Sequence, residues 1–153
     1  MDNKIKTTWV VVAHQAGARF MEHQSGFGRH LVLVRELENP DARKRNQEID
    51  SDRPGEASSG GGGTMRRAMQ HEQTALEHVV TTFANTIATE LSKSRAEGLF
   101  DAIILVAEPG FLGVLRDALD KPTAQIVVDS VTKNLAVERP NEVAEHLGRA
   151  LPL

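Results

Sequence analysis

The strongest pattern in the sequence is a helical period of apolar residues that spans about 71–97. Its apolar positions recur at intervals of three and four residues, which places them on one face of a helix: Leu76, Val79, Val80, Phe83, Ala84, Ile87, Ala88 and Leu91. Gly98 follows the last turn, where a left-handed C-cap residue belongs. At 1.5 Å per residue, the predicted helix is about 40 Å long.

Three strands are predicted before this helix. Residues 9–13 form a continuous β-favouring run, which is typical of a central strand covered on both faces. Residues 18–22 and 31–37 supply two more strands, and the segments "HQAG" and "SGFGRH" contain the glycines that the turns need. Connections this short predict that the three strands are antiparallel neighbours.

Two more strands and two more helices are predicted after the long helix. Residues 100–110 contain a buried strand followed by Pro109 at a helix start, 124–130 an edge strand, and 140–150 a final helix. The order β-β-β-α-β-α-β-α predicts an α/β fold with a five-stranded mixed sheet, in which three antiparallel strands precede two that are parallel to the first. This three-layer layout is the one used by ribonuclease H-like folds.

Composition predicts one soluble domain over residues 1–153. The apolar share is 40%, the charged share 25% and the formal net charge -3, so no global basic field is present. The absence of cysteine excludes a disulfide scaffold and thiol catalysis. No apolar run approaches the ~20 residues that span a bilayer, and 9–13 is too short for a signal peptide. We therefore expect a cytoplasmic protein without membrane insertion.

A long segment without apolar periodicity separates the third strand from the helix, at about 39–70. It contains "SSGGGGTMRR" and carries six basic and five acidic residues. We predict that it forms a long mobile loop, since stretches of this kind are functional or disordered. Arginines in such a loop suit contacts with phosphate, above all in RNA. The alternative is a solvated loop whose charges nearly cancel.

The glycines do not match a nucleotide-binding loop. If Gly55 and Gly60 are the glycines of a G-x-x-x-x-G-K-[ST] motif, Gly61 stands in place of its lysine. A G-x-G-x-x-G motif that begins at Gly60 has Met65 in its last glycine position. H-E-x-x-H and G-x-S-x-G motifs are also missing. No cofactor is predicted.

Glu108 is a weak candidate metal ligand. It lies at the end of strand four where parallel strands present their ligands, whereas Asp101 lies at the other end. A ribonuclease H-type nuclease needs several carboxylates that converge on its cations, and "WVVVAH" in the first strand supplies none. We interpret Asp101 as a strand-start residue, Glu108 as a loop or helix-start charge, and His14 as a turn residue.

Several segments resemble the bacterial host attachment protein family. They are "WVVVAHQAGARFME", "DSDRPGEASSGGGG", "EHVVTTFANTIATEL", "FDAIILVAEPGFLGVLRDAL" and "VTKNLAVERPNEVAEHL", and together they cover nearly the whole chain. The family is named for attachment of bacteria to host surfaces. Since no export signal is found, the resemblance implies an intracellular, indirect role rather than an adhesin.

The family in turn is similar to the central domain of archaeal and eukaryotic class I peptide-chain release factors, which has a ribonuclease H-like topology. There a long loop ends in Gly-Gly-Gln at the start of a long helix. Gly62 and Gly63 match the two glycines, and Thr64 stands where the glutamine belongs. Because that glutamine places the hydrolytic water, the resemblance implies contact with RNA or the ribosome without peptidyl-tRNA hydrolysis.

The leading hypothesis is therefore a non-enzymatic binding module that contacts RNA, the ribosome or a protein. The residues predicted to make this contact are Arg53, Gly62, Gly63, Thr64, Arg66 and Arg67. One alternative is an RNA-directed hydrolase, either a metal nuclease or a release-factor-like esterase. Another is a protein-interaction regulator of surface attachment, in which the glycine run is only slack.

Overall fold

The computed structural model describes residues 6–42 and 62–151, with 62–66 described by their backbone alone. Its strands form a five-stranded mixed sheet: β1 (Thr7–His14), β2 (Gly17–Gln24), β3 (Val32–Glu38), β4 (Ala102–Ala107) and β5 (Val127–Thr132). The strand order is β3-β2-β1-β4-β5. β2 is antiparallel to both of its neighbours, and β4 and β5 run parallel to β1. The predicted α/β mixed sheet, with β5 at an edge, is confirmed.

Besides a helical turn at the edge of the described range, the described residues form these helices and a short 3-10 turn: α1 (Gly62–Ala96), α2 (Pro109–Ala118), α3 (Lys121–Gln125), α4 (Pro140–Leu147) and the 3-10 turn Gly148–Ala150. The predicted starts of α2 and α4 at proline are confirmed. The five-residue α3 was not predicted, because it is too short to show a helical period. It occupies the beginning of the segment predicted as strand five, and β5 accordingly starts later.

The predicted start of the long helix is wrong by nine residues, since α1 begins at Gly62 rather than at residue 71. Its first turns consist largely of good helix formers, "MRRAMQHEQ", which favour a helix without forming an apolar period. The predicted loop at 39–70 is therefore helical from 62 onward, and a helical turn also occupies 40–42. The rest of that loop, 43–61, lies outside the described residues. The predicted C-cap, Gly98, is confirmed by its φ of +75°.

The core lies on both faces of the sheet, so the fold has three layers. On one face, Trp9 and Val11 of β1 pack against α1 and α2. On the other face, Val10 and Val12 pack against α4. The Trp9 ring lies 5.8 Å from that of Phe20 and 4.6 Å from that of Phe100, measured between ring centroids. β1 is thus the central strand that its apolar run predicted.

α1 crosses the first of these faces and is tied to β3 by an ion pair between Arg35 and Glu90. Its apolar face is buried at Phe83, Ile87 and Leu91. Complete burial of a side chain such as Ile87 contributes about 1.5–3 kcal/mol to stability. Within the described ranges, no helix combines the length and the hydropathy required to cross a bilayer.

Candidate functional site

The first turns of α1 extend away from the core. Every residue from 67 to 74 is exposed, and the exposed fraction of the Met69 side chain is 61%. Eight consecutive exposed residues cover more than two helical turns, so no face of this segment packs against the described part of the domain. We refer to residues 67–74 as the arm.

Most of the residues predicted to contact a partner share this end of α1. The backbone of α1 begins with five of them: Gly62, Gly63, Thr64, Arg66 and Arg67. Arg67 is the first arm residue, and His71 lies on the same side of the helix because four residues make about one turn. Arg53 lies outside the described residues, so its place relative to the other five stays a prediction.

A cleft of about 490 Å³ opens at the base of the arm, between α1, α2 and the carboxyl ends of β1 and β4. Its apolar floor consists of Leu76, Val80, Phe111 and Val114. Its polar rim consists of His14, Gln15, Glu77, Thr81 and Glu108. The chain leaves β1 toward β2 and leaves β4 toward β5, on opposite sides. Connections that diverge in this way leave the crevice in which α/β sheets bind their ligands.

His14 is held at the cleft by the turn that follows it. Its Nδ1 accepts a hydrogen bond from the backbone N–H of Ala16 at 3.3 Å, so the neutral ring carries its proton on Nε2. A Cβ on Gly17 would lie 3.3 Å from that Nε2 and 3.2 Å from the carbonyl oxygen of Leu37. Because Gly17 has no side chain, the imidazole of His14 has space at this position.

Asn39 holds the same turn in place through two hydrogen bonds. Its side-chain Nδ2 donates to the carbonyl oxygen of Gln15 at 2.9 Å, and its backbone N–H donates to that of Ala16 at 2.9 Å. Asn39 is buried, with 7% of its surface exposed. The β1–β2 turn, and with it one wall of the cleft, is therefore positioned by a buried amide.

Glu108 caps the start of α2 with its backbone but not with its side chain. Its carbonyl oxygen accepts from the N–H of Leu112 at 2.9 Å, while its exposed carboxylate lines the cleft. Asp101 lies at the opposite end of β4, where its Oδ2 accepts from the N–H of Thr7 at 2.9 Å. Within residues 6–42 and 62–151, no three His, Cys, Asp or Glu side chains are grouped to hold a metal ion. Nothing there joins Glu108 to form the metal site for which it was a weak candidate.

The rim of the cleft contains residues that sequence analysis did not select, namely Gln15, Glu77 and Thr81. The prediction that His14 is a turn residue is corrected, because it is the last residue of β1. A signal for it did exist. Strands one and four were predicted to be parallel, and the carboxyl ends of adjacent parallel strands meet at one edge, which places His14 near Glu108.

Arg19 and Glu138 lie on the opposite face of the sheet, and the pKa of each is shifted. Arg19 donates to the carbonyl oxygens of Leu135 and Glu138 at 2.7 and 2.6 Å, and burial lowers the pKa of its guanidinium. A hydrogen bond with Glu142 raises the pKa of the Glu138 carboxyl. These groups fix the segment before α4 and do not line the cleft.

Comparisons with known proteins identify a family and two distant structures. The model of a family described as "Protein required for attachment to host cells" matches residues 9–147. No curated protein matches the chain. Two solved structures, an "Archaeal protein" and an archaeal translation termination factor, each share 12% identity with it and give TM-scores of 0.44 and 0.46. In both cases the match covers 94% of this chain but 36% of the other, so the chain spans little more than a third of their length.

Proposed function

The chain belongs to the family of proteins required for attachment to host cells, and from that premise we propose that it is a non-enzymatic cytoplasmic binding module. The start of α1 is its contact surface, and RNA, on the ribosome or elsewhere, is the partner. The observation that carries the proposal is the arm, in which eight consecutive helical residues are exposed. A helical segment that packs against no part of the described domain has surface available for another molecule.

The charge of this helix end favours an anionic partner. Residues 62–74 contain Arg66 and Arg67 and a single acidic residue, Glu72. Arginine binds phosphate through two parallel hydrogen bonds, and phosphate contacts dominate the affinity of proteins for nucleic acids. Gly62 and Gly63 carry no side chains that would keep a phosphate backbone at a distance.

The proposal assigns contact rather than hydrolysis to this site. In the arrangement of the class I release factors, a glutamine follows the two glycines, and here Thr64 takes its place. The ribonuclease H-like assignment of the fold belongs to the same proposal. The strand order β3-β2-β1-β4-β5, with helices on both faces, supports it.

Ribosome co-sedimentation tests the proposal with two charge-matched variants. Arg66→Ala/Arg67→Ala removes the arginine pair of α1, and Arg116→Ala/Arg149→Ala removes two exposed arginines elsewhere. We expect wild type and the second variant to pellet with ribosomes and the first to stay in the supernatant. The dependence of log affinity on log salt is expected to become less steep, by about 0.7 in slope for each single-strand phosphate that the first variant no longer neutralises.

Three other outcomes would favour a different function. If both variants pellet like wild type, or if none of the three proteins pellets, the start of α1 does not contact the ribosome. A pull-down that captures a protein through the arm and no RNA would favour the protein-interaction regulator. The hydrolase alternative predicts cleavage of RNA or of an aminoacyl ester that Glu108→Gln reduces. We expect no such activity.

A further inference from the structure

We propose that the cleft between α1, α2 and the ends of β1 and β4 binds a small organic cation. The ligand carries an ammonium or guanidinium group on an aromatic or aliphatic body. The proposal goes beyond the contact made by the arm and does not depend on it. It rests on the size of the cleft, on its apolar floor and on the charge of its rim.

The size and floor of the cleft suit a small molecule. Its volume of about 490 Å³ lies within the ~300–1,000 Å³ usual for ligand pockets. Val80 and Phe111 on the floor are 8% and 5% exposed, so both are held in place by the core. Leu76 and Val114 are half-buried and complete an apolar surface that an aliphatic or aromatic body can cover.

The charge of the rim selects a cation. The formally charged residues that line the cleft, within the described part of the chain, are the carboxylates of Glu77 and Glu108. No lysine or arginine of the described ranges lines it to offset them. Two like charges beside an apolar floor attract a cation and repel phosphates and carboxylates. The cleft is therefore unsuited to the RNA backbone that the arginines of α1 would contact.

The two carboxylates also determine how a ligand lies in the cleft. Glu77 comes from α1 and Glu108 from the start of α2, so a cation between them pairs with both helices. Phe111 follows Glu108 by three residues, about one helical turn, and its ring lines the floor. A cation paired with Glu108 can thus rest its apolar body on that ring. Gln15 and Thr81 supply neutral hydrogen-bonding groups.

A nuclear magnetic resonance titration of the full chain tests the proposal with three probes of matched size. They are 2-phenylethylamine, which is cationic, 2-phenylethanol, which is neutral, and 3-phenylpropionate, which is anionic. The backbone amides of Gln15, Gly110 and Phe111 report on the cleft. We expect the amine to bind most tightly, the alcohol to bind more weakly, and the propionate to leave these amides unshifted up to its solubility limit.

Variants of the carboxylates separate the cleft from nonspecific attraction to an acidic protein. Glu77→Gln/Glu108→Gln is expected to weaken amine binding by roughly fivefold for each carboxylate removed, since each exposed ion pair contributes up to about that much. The matched control Glu97→Gln/Glu145→Gln removes the same charge from exposed sites away from the cleft and is expected to leave the affinity unchanged. Equal binding of propionate and amine, equal losses in the two variants, or the absence of any shift at the three amides would overturn the proposal.

Discussion

The arm and the cleft lie next to each other along α1 but are built in opposite ways. The arm consists of eight consecutive exposed residues, and nothing in the described part of the domain supports its side chains. The cleft begins at Leu76, where α1 starts to pack, and residues of β1, the β1–β2 turn, α1 and α2 form its walls together with Glu108, which follows β4. Changes in the arm should therefore alter binding with little effect on the fold. Changes in the cleft should alter both.

Truncation of one large apolar side chain in each region should give the greatest contrast. Phe111→Ala empties the floor of the cleft and is expected to lower the free energy of unfolding by about 3–5 kcal/mol. Met69→Ala removes an exposed side chain from the arm and is expected to change it by no more than about 0.5 kcal/mol. Urea denaturation measures both values. Comparable losses would mean that the arm packs against the domain and that the contrast is wrong.

Loss of the buried side-chain amide of Asn39 should have the next largest effect on stability. Asn39→Ala leaves the carbonyl oxygen of Gln15 without its side-chain donor, which costs about 1–3 kcal/mol of unfolding free energy. The same substitution at Asn85, exposed on α1, is the control and is expected to cost nothing measurable. Amide shifts in the β1–β2 turn should accompany the loss. If Asn39→Ala proves as stable as Asn85→Ala, another group holds the turn.

Glycine substitutions separate local from global stability along the same helix. Each alanine-to-glycine change in a helix costs about 1 kcal/mol. At Ala68, in the arm, the cost should appear only as faster hydrogen exchange of nearby amides. At Ala88, which is 5% exposed, it should also lower the urea midpoint of the whole protein. An equal drop in midpoint for both variants would show that the arm unfolds together with the core.

The smallest expected effect lies outside both regions, on the face that α4 covers. The pKa of Glu138 is raised above its ordinary 4.5, chiefly by a hydrogen bond with Glu142. The stability linked to this proton is therefore present in acid and is lost as the pH rises through the folded-state value. Glu138→Gln keeps a hydrogen-bond donor at every pH, so its Tm relative to wild type should rise over that window. Parallel curves of Tm against pH would contradict the assignment.

The sequence was sufficient to predict the sheet. A continuous apolar run predicted β1, apolar patterning at 18–22 and 31–37 predicted β2 and β3, and short connections predicted these strands as antiparallel neighbours. The proline at 109 and that at 140 marked two helix starts. The beginning of α1 was missed because its residues form a helix through intrinsic propensity, which leaves no apolar period to detect. The helix α3 was missed because five residues contain too little pattern.

The candidate site was harder to predict than the fold. The arginines and glycines at the start of α1 lie close together in the chain, so composition and the resemblance to release factors selected them. The cleft combines His14, Glu77 and Glu108, which are distant in sequence and come together because β1 and β4 are neighbours and α1 packs over them. Its support by Asn39 depends on a side chain that reaches back across the β1–β2 turn. Contacts between residues this far apart in the sequence leave no local sequence pattern from which they could be predicted.

The arm is proposed to be a contact element of a helix that is packed from Leu76 onward. Hydrogen exchange along α1, measured with and without ribosomes, is the decisive measurement. Without ribosomes, we expect weak protection at 67–74 and strong protection at 80–91, where the apolar face of the helix is buried. With ribosomes, protection should rise in the arm and stay unchanged at 80–91. Strong protection of the arm in the free protein, or an arm whose protection ribosomes leave unchanged, would show that the arm is not a contact element.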